Sequence, residues 1–194
     1  MWIFAYGSLI FRPSFDYLEQ RRAFVAGWTR RFWQGSPDHR GTPETPGRVV
    51  TLVADEHAWC GGAAFRIDPA QGEAVLAMLD AREQAGFERH RLPLWDSPDS
   101  PAPFADGLTY VASTDNPHFL GPLDEPSIAD WIARSHGPSG PNSDYARNLH
   151  DALHALGIDD PHVRTIAQLL GRLAAPGFPT SPHSGPSGLP DPAR

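Results

Sequence analysis

The chain has 194 residues and a formal net charge of −7, enough for one domain with a real core and too little for two ordinary ones. That acidic balance argues against a nucleic-acid partner or an anionic membrane, both of which are bound chiefly through Lys and Arg. Hydrophobic residues at 40% against 20% charged describe a globular chain, and 21 prolines with 18 glycines predict short elements joined by many loops.

In chain order, "MWIFAYGSLIF" opens with an apolar run that lacks a basic flank and is far too short to span a bilayer. It reads as a buried strand over residues 2–6, ended by Gly7, in a cytoplasmic protein with no membrane partner. Strand-like runs follow at 23–33, 48–54, 58–67, 88–95 and 108–113. Their order predicts an α+β fold, a small curved antiparallel or mixed sheet, barrel-like, with flanking helices. Gly61-Gly62 marks a bulge or a close backbone approach. The single cysteine, Cys60, excludes an intrachain disulfide and makes no zinc site alone; it reads as a small buried residue.

Asp68-Pro69 opens the first helix, with Asp as cap, Pro at the first helical position and Gln71 able to reach back. That helix runs to about Arg82 or Glu83. Further helices are predicted at 127–135, with Ile128, Trp131 and Ile132 inward, at 143–156, and at 161–173, where Asp160-Pro161 repeats the cap. From Pro176 onward Pro, Gly and Ser dominate, a composition that cannot bury a core. The expected organisation is one domain over 1–175 and a disordered tail over 176–194.

Three features bear on chemistry. Val75, Leu76 and Leu79 define an apolar stripe on the first helix, and Glu83 falls about 30° from its centre. Two readings of Glu83 stay open on the residues alone. In one the helix has frayed and the carboxylate pairs with Arg82, Arg89 or Arg91 at the surface. In the other it sits in a pocket, where desolvation raises its pKa and makes it a proton acceptor near neutral pH. Second, a strand ending in Tyr6-Gly7-Ser8 offers successive backbone N–H groups around a glycine, suited to a carboxylate or an oxyanion. Third, a long, stiff polar loop after "RRFW" carries Ser36, Asp38, His39 and Arg40. Arg40 is suited to a substrate carboxylate, or to tying the loop together beside Asp38 and Glu44; Ser36 is suited to substrate, or to capping the loop. Trp28, Phe32 and Trp33 read as core aromatics.

Together "MWIFAYGSLIF", "RRFWQGSPDHRGTPETPGRVVTL", "LDAREQAGF", "STDNPHFLGP" and "GPSGPNSDYARNL" resemble the ChaC-type, glutathione-specific γ-glutamylcyclotransferases, collinearly from Met1 to about residue 156 and more weakly to 173. The resemblance implies a γ-glutamylcyclotransferase-like fold and release of 5-oxoproline from a γ-glutamyl compound, chiefly glutathione. It implies Glu83 as the catalytic carboxylate, Tyr6, Gly7, Ser8 and Leu9 as the turn that receives the γ-glutamyl group, and Tyr145 as a further substrate-binding residue. It requires no cofactor and no metal. Two positions depart from the family: Ala85-Gly86-Phe87 stands where Gly-Gly-Tyr is usual, so a hydroxyl is missing at 87, and Phe11 stands where Trp is common.

"HDALH", residues 150–154, resembles a zinc-protease pattern, but His150 and His154 fall off the apolar face of their helix and no third ligand follows. A non-catalytic module that only binds γ-glutamyl ligands is a second alternative, and the same chemistry on another γ-glutamyl amine or dipeptide a third.

Overall fold

The computed structural model describes residues 1–82 and 86–174. Glu83 and Ala85 lie outside these residues, as does the tail expected over 176–194. Strand β1 (Trp2–Ala5) is central: Ile3, Phe4 and Ala5 are all buried, the continuous apolar run of a strand covered on both faces. It lies between the long β3 (Gly47–Arg66), antiparallel to it, and β5 (Ala105–Ala112), parallel to it. β2 (Glu19–Ser36) pairs with the outer edge of β3, and β4 (Phe87–Leu94) with that of β5, giving the sheet order β2-β3-β1-β5-β4.

The mixed, curved sheet matches the expectation, but no barrel closes. Among the described residues the edges are bridged by backbone hydrogen bonds where Phe24 and Trp95 exchange N–H···O bonds of 2.8 and 2.9 Å. The runs expected as separate strands at 48–54 and 58–67 are one strand. Pairing jumps from Ala26↔Trp59 to Trp28↔Ala54, so residues 55–58 of β3 oppose Gly27 alone, whose φ is +80°. Asp55-Glu56-His57 resembles a turn because it makes one locally: the His57 N–H donates to Asp55 Oδ1 while the hairpin continues past it. Gly61-Gly62 is a close approach: a Cβ on Gly62 would stand 2.3 Å from the Ala5 carbonyl oxygen. Cys60 is buried between these pairings, and burial pushes its thiol up to about 11.

The helices follow their caps. Asp68 accepts from the Ala70 N–H at the start of a 3-10 turn, Pro69–Gln71, which the sequence reading had merged with α1 (Gly72–Arg82). In α1, Val75 and Leu79 are buried and Leu76 half-buried. Asp124 caps α2 (Glu125–Arg134) through the Ser127 N–H, and Asp160 caps α4 (Pro161–Leu173) through the Val163 N–H. α3 (Asn142–Ala155) follows a two-residue hairpin, β6 (His136–Gly137) with β7 (Gly140–Pro141). Ile128, Ile132, Leu149, Val163 and Ile166 bring α2, α3 and α4 into one core with the sheet. Phe32 is fully buried there, and Trp28 and Trp33 are partly buried against the same core. Among the described residues no helix is long and apolar enough to cross a membrane.

One buried histidine joins the sheet to these helices. The Phe32 N–H donates to His162 Nε2 at 3.2 Å, which fixes that nitrogen as an acceptor, and Nδ1 faces Glu125 at 3.2 Å. Burial is the main reason the His162 pKa lies below its ordinary value, with the Glu125 hydrogen bond opposing. A depressed folded value means that the unfolded chain binds more protons in mild acid. The stabilisation is therefore complete above about 6.5, the unfolded value, and is lost as pH falls through the folded one. Melting temperature is expected to fall as pH drops from about 7 to about 5, and His162→Gln to flatten that slope; identical slopes in thermal melts would remove His162 from the account.

Candidate active site

The central strand cannot simply stop, because its end is buried and its backbone groups need partners. Beyond Ala5 the chain turns at Tyr6-Gly7 into a 3-10 turn, Ser8–Ile10, closed by the Ile10 N–H on the Gly7 carbonyl at 3.0 Å. The Ser8 and Leu9 N–H groups precede this first bond and have no partner within the turn. Tyr6 is buried; its hydroxyl donates to the Tyr110 carbonyl at 2.8 Å and its own carbonyl accepts from Arg30 Nε at 2.7 Å. A Cβ on Gly7 would lie 3.3 Å from both the Tyr145 hydroxyl and Val50 Cγ2. Glycine is the residue that lets this turn approach α3 so closely.

The turn forms one wall of a cavity of about 430 Å³. Tyr6, Gly7, Ser8 and Leu9 line it, and so do Ser36, Arg40 and Tyr145 from three other elements. The side chains singled out in the sequence thus meet in one place, Glu83 excepted, which lies outside the described residues. Arg82, the residue before it, lines the cavity and donates to Ser8 Oγ at 2.7 Å and Ser14 Oγ at 3.2 Å. Phe87 lines it as well, an apolar edge without a hydroxyl.

Local bonds define what each residue does. Ser36 is buried at the end of β2, and its Oγ accepts from the Arg40 N–H at 3.1 Å, so it caps the loop. Arg40 donates through Nη1 to the carbonyls of Ser139 and Pro141 at 2.8 and 3.1 Å and lies 5.9 Å from the Tyr145 ring centre. It ties the loop to the β6–β7 hairpin, not to Asp38 or Glu44 as one reading expected. Burial is the first cause of a lowered Arg40 pKa, with the Tyr145 and Asp144 charges opposing it and Arg12 adding to it. Tyr145, buried on α3, accepts from the Val50 N–H at 3.3 Å, with its ring edge-on to Phe11 and Phe32.

Two further groups were not legible in the sequence. Thr109 lines the cavity with a buried hydroxyl that has no hydrogen-bond partner among the described residues. Tyr110, beside it on β5, donates to Asp80 Oδ1 at 2.7 Å, and Arg89 grips the same carboxylate through two nitrogens. Burial first, and then this hydrogen bond, pushes the Tyr110 phenol up to about 12. The Arg89 bonds, followed by that of Tyr110, hold the Asp80 carboxyl below its usual range. Asp80 is therefore a fixed anion and a poor proton acceptor, and Arg89 is committed to it.

Charge completes the site. Arg12, Arg40 and Arg82 line the cavity against Asp38 among its described acidic residues, so an acidic chain carries a cationic hollow. His150 and His154 stack at 6.4 Å on α3, and among the described residues no group of three or more His, Cys, Asp or Glu is arranged to hold a metal.

A curved mixed sheet whose central strand ends in a tight turn, against an arginine-lined cavity of this size, is the architecture of a small-molecule site. The chain belongs to the ChaC-like protein family, whose profile matches residues 1–173. It is 41% identical over 172 residues to "Gamma-glutamylcyclotransferase 2-3" of Arabidopsis thaliana, covering 86% of each chain. It is 38% identical over 186 residues to "Glutathione-specific gamma-glutamylcyclotransferase 1" of Homo sapiens, covering 93% of this chain and 82% of the relative. The crystal structure of the selenomethionine-labelled, glutathione-specific γ-glutamylcyclotransferase from yeast superposes with a TM-score of 0.82 at 28% identity, over 89% of this chain and 96% of that one.

The close approach at Gly7 yields a direct test. Gly7→Ala asks the Tyr145 hydroxyl and Val50 to yield by a few tenths of an ångström, an overpacking expected at the low end of about 1–3 kcal/mol. Denaturant melts are expected to show a folded protein in that range, with ligand affinity for the cavity sharply reduced; unchanged stability and affinity would mean that the turn is not as tight as described.

Proposed function

We propose that this protein is a γ-glutamylcyclotransferase that cleaves glutathione into 5-oxoproline and Cys-Gly. The observation that carries the reading is the convergence on one cavity of the Tyr6–Leu9 turn, Ser36, Arg40 and Tyr145, in a chain of the ChaC-like family whose relatives are named for this activity.

The chemistry follows from the substrate. In a γ-glutamyl amide the nucleophile, the α-amine, and the electrophile, the γ-carbonyl carbon, belong to one molecule, so a pocket that folds the chain back supplies most of the rate by proximity. No enzyme nucleophile is needed, and the reading invokes no cofactor or metal. The amine arrives as an ammonium, and Glu83 is the base that takes its proton. As the C–N bond of the lactam forms, the γ-carbonyl oxygen becomes an oxyanion, for which the backbone N–H groups of the Gly7–Leu9 turn are the donors. Collapse breaks the original amide bond: Glu83 returns its proton to the departing Cys-Gly nitrogen, and the second proton of the attacking nitrogen follows to that amine, leaving the lactam N–H and Cys-Gly as its ammonium. No water is consumed.

Arg40 and Tyr145 bind the substrate in this reading, and Ser36 holds the loop that carries Arg40. Arginines on the walls suit the two carboxylates of glutathione. The catalytic domain spans residues 1–175. A cytoplasmic location belongs to the same proposal, in keeping with a cytosolic glutathione pool and a chain with one cysteine.

The test is a product assay on glutathione with wild type beside Glu83→Gln, which keeps size and removes basicity. Wild type is expected to release 5-oxoproline and Cys-Gly in equal amounts, and the variant to bind glutathione with turnover reduced by about 100-fold or more. Near-full activity in the variant would refute the role of Glu83. Binding without turnover in wild type would favour a non-catalytic γ-glutamyl-binding module, and turnover only of other γ-glutamyl amines would move the substrate.

A further inference from the structure

Arg30 lies in β2 with its side chain fully buried, and it lines a different cavity from the one described above. All three of its nitrogens are engaged. Nε donates to the Tyr6 carbonyl at 2.7 Å, Nη1 to Asp160 Oδ2 at 2.7 Å, and Nη2 to the Gly61 carbonyl. The other oxygen of Asp160 accepts the Val163 N–H at the start of α4. One guanidinium therefore joins the turn after β1, the middle of β3 and the cap of a helix more than a hundred residues away.

Cohesion alone does not account for this arrangement. Burying an ion pair is costly, and apolar side chains of the same volume hold elements together as well or better. What a guanidinium supplies and a hydrocarbon does not is direction, since its N–H vectors are fixed in one plane. The Tyr6 carbonyl and the Gly7 N–H belong to the same trans peptide and point in opposite directions across it. Holding the carbonyl on Arg30 thus sets the direction of the Gly7 N–H, on a residue that walls the cavity.

We propose that Arg30, braced by Asp160, is a positioning residue for the reaction: it fixes the Tyr6–Gly7 peptide plane so that the turn presents its N–H groups to the developing oxyanion. This rests on the cyclotransferase reading above. Arg30 touches no substrate, and its contribution appears in the transition state more than in the bound ground state.

Two variants test it. Arg30→Lys keeps a cation beside Asp160 but cannot span three acceptors. Asp160→Asn keeps an oxygen for the Val163 N–H and removes the carboxylate that braces the guanidinium. Each is compared with wild type in the glutathione product assay and in glycine-15N-labelled protein, where the Gly7 resonance is assigned by its loss in Gly7→Ala. The expected result is folded protein, a displaced Gly7 resonance, and kcat lowered about tenfold or more with KM changed less than about threefold. A simple loss of folded fraction would lower kcat without moving the Gly7 signal of the folded form. Folded Arg30→Lys or Asp160→Asn with wild-type kcat overturns the proposal, as does a lowered kcat with Gly7 unmoved. If Arg30→Lys does not fold, Asp160→Asn decides alone. Failure of both to fold makes the network purely structural and equally overturns the proposal. Absence of 5-oxoproline from wild type would strike the cyclotransferase reading instead, and the Gly7 resonance would still report whether Arg30 orients the turn.

Discussion

A strand buried on both faces must leave the sheet somewhere, and its last peptide groups must find partners when it does. At the end of β1 the Tyr6 carbonyl finds Arg30, the Tyr6 hydroxyl finds the Tyr110 carbonyl, and a 3-10 turn follows. The requirement selects the local sequence: a tyrosine whose hydroxyl crosses to β5, a glycine with no Cβ to strike Tyr145 or Val50, and a serine that accepts from Arg82. The same saturation that permits the strand to end leaves the early N–H groups of the turn beside a cavity. Stability and site share these groups, so substitutions there act on both.

What could be read from the sequence depended on how local its cause was. The Asp-Pro caps at 68–69 and 160–161 announced their helices because capping is settled within three residues; only the 3-10 character of Pro69–Gln71 escaped. Val75 and Leu79 are buried as the stripe implied, and the next position on it, Glu83, is the one that the proposed chemistry needs. By contrast, Asp55–His57 carries the composition of a turn inside a strand, and only pairing with β2 across Gly27 keeps the ladder running.

The site shows the same division. Tyr6–Leu9 and Tyr145 were singled out because several short motifs occur in a fixed order, and Ser36 and Arg40 because they sit in a stiff polar loop; all of them line one cavity. Arg30 and Asp160 escaped that reading: each resembles an ordinary charged residue in its own segment, and their partnership spans 130 positions. Thr109 and Tyr110 escaped for a related reason, since an alternating strand gives no sign of which face meets a cavity assembled from many other elements. Arg40 was identified, but its tie to the 139–141 segment was not, because the hairpin that accepts it is set by tertiary contacts.

Charge carries the last lesson about scale. A chain with a net charge of −7 gains nothing from long-range attraction toward an anionic substrate, and at physiological salt the exposed surface is screened within about 8 Å. The cavity works inside that length. Arg82 is anchored on two serine hydroxyls and Arg40 on two carbonyls, so neither side chain has to be ordered when an acidic ligand arrives. Donors fixed in advance lose less entropy on binding and pay no reorganisation as charge moves during reaction. The acceptors that hold Arg40 here are neutral carbonyls, which orient the guanidinium without cancelling its charge as a carboxylate in the same place would. Asp80 and Arg89 illustrate the alternative: paired on the neighbouring surface, they neutralise each other and offer a substrate little.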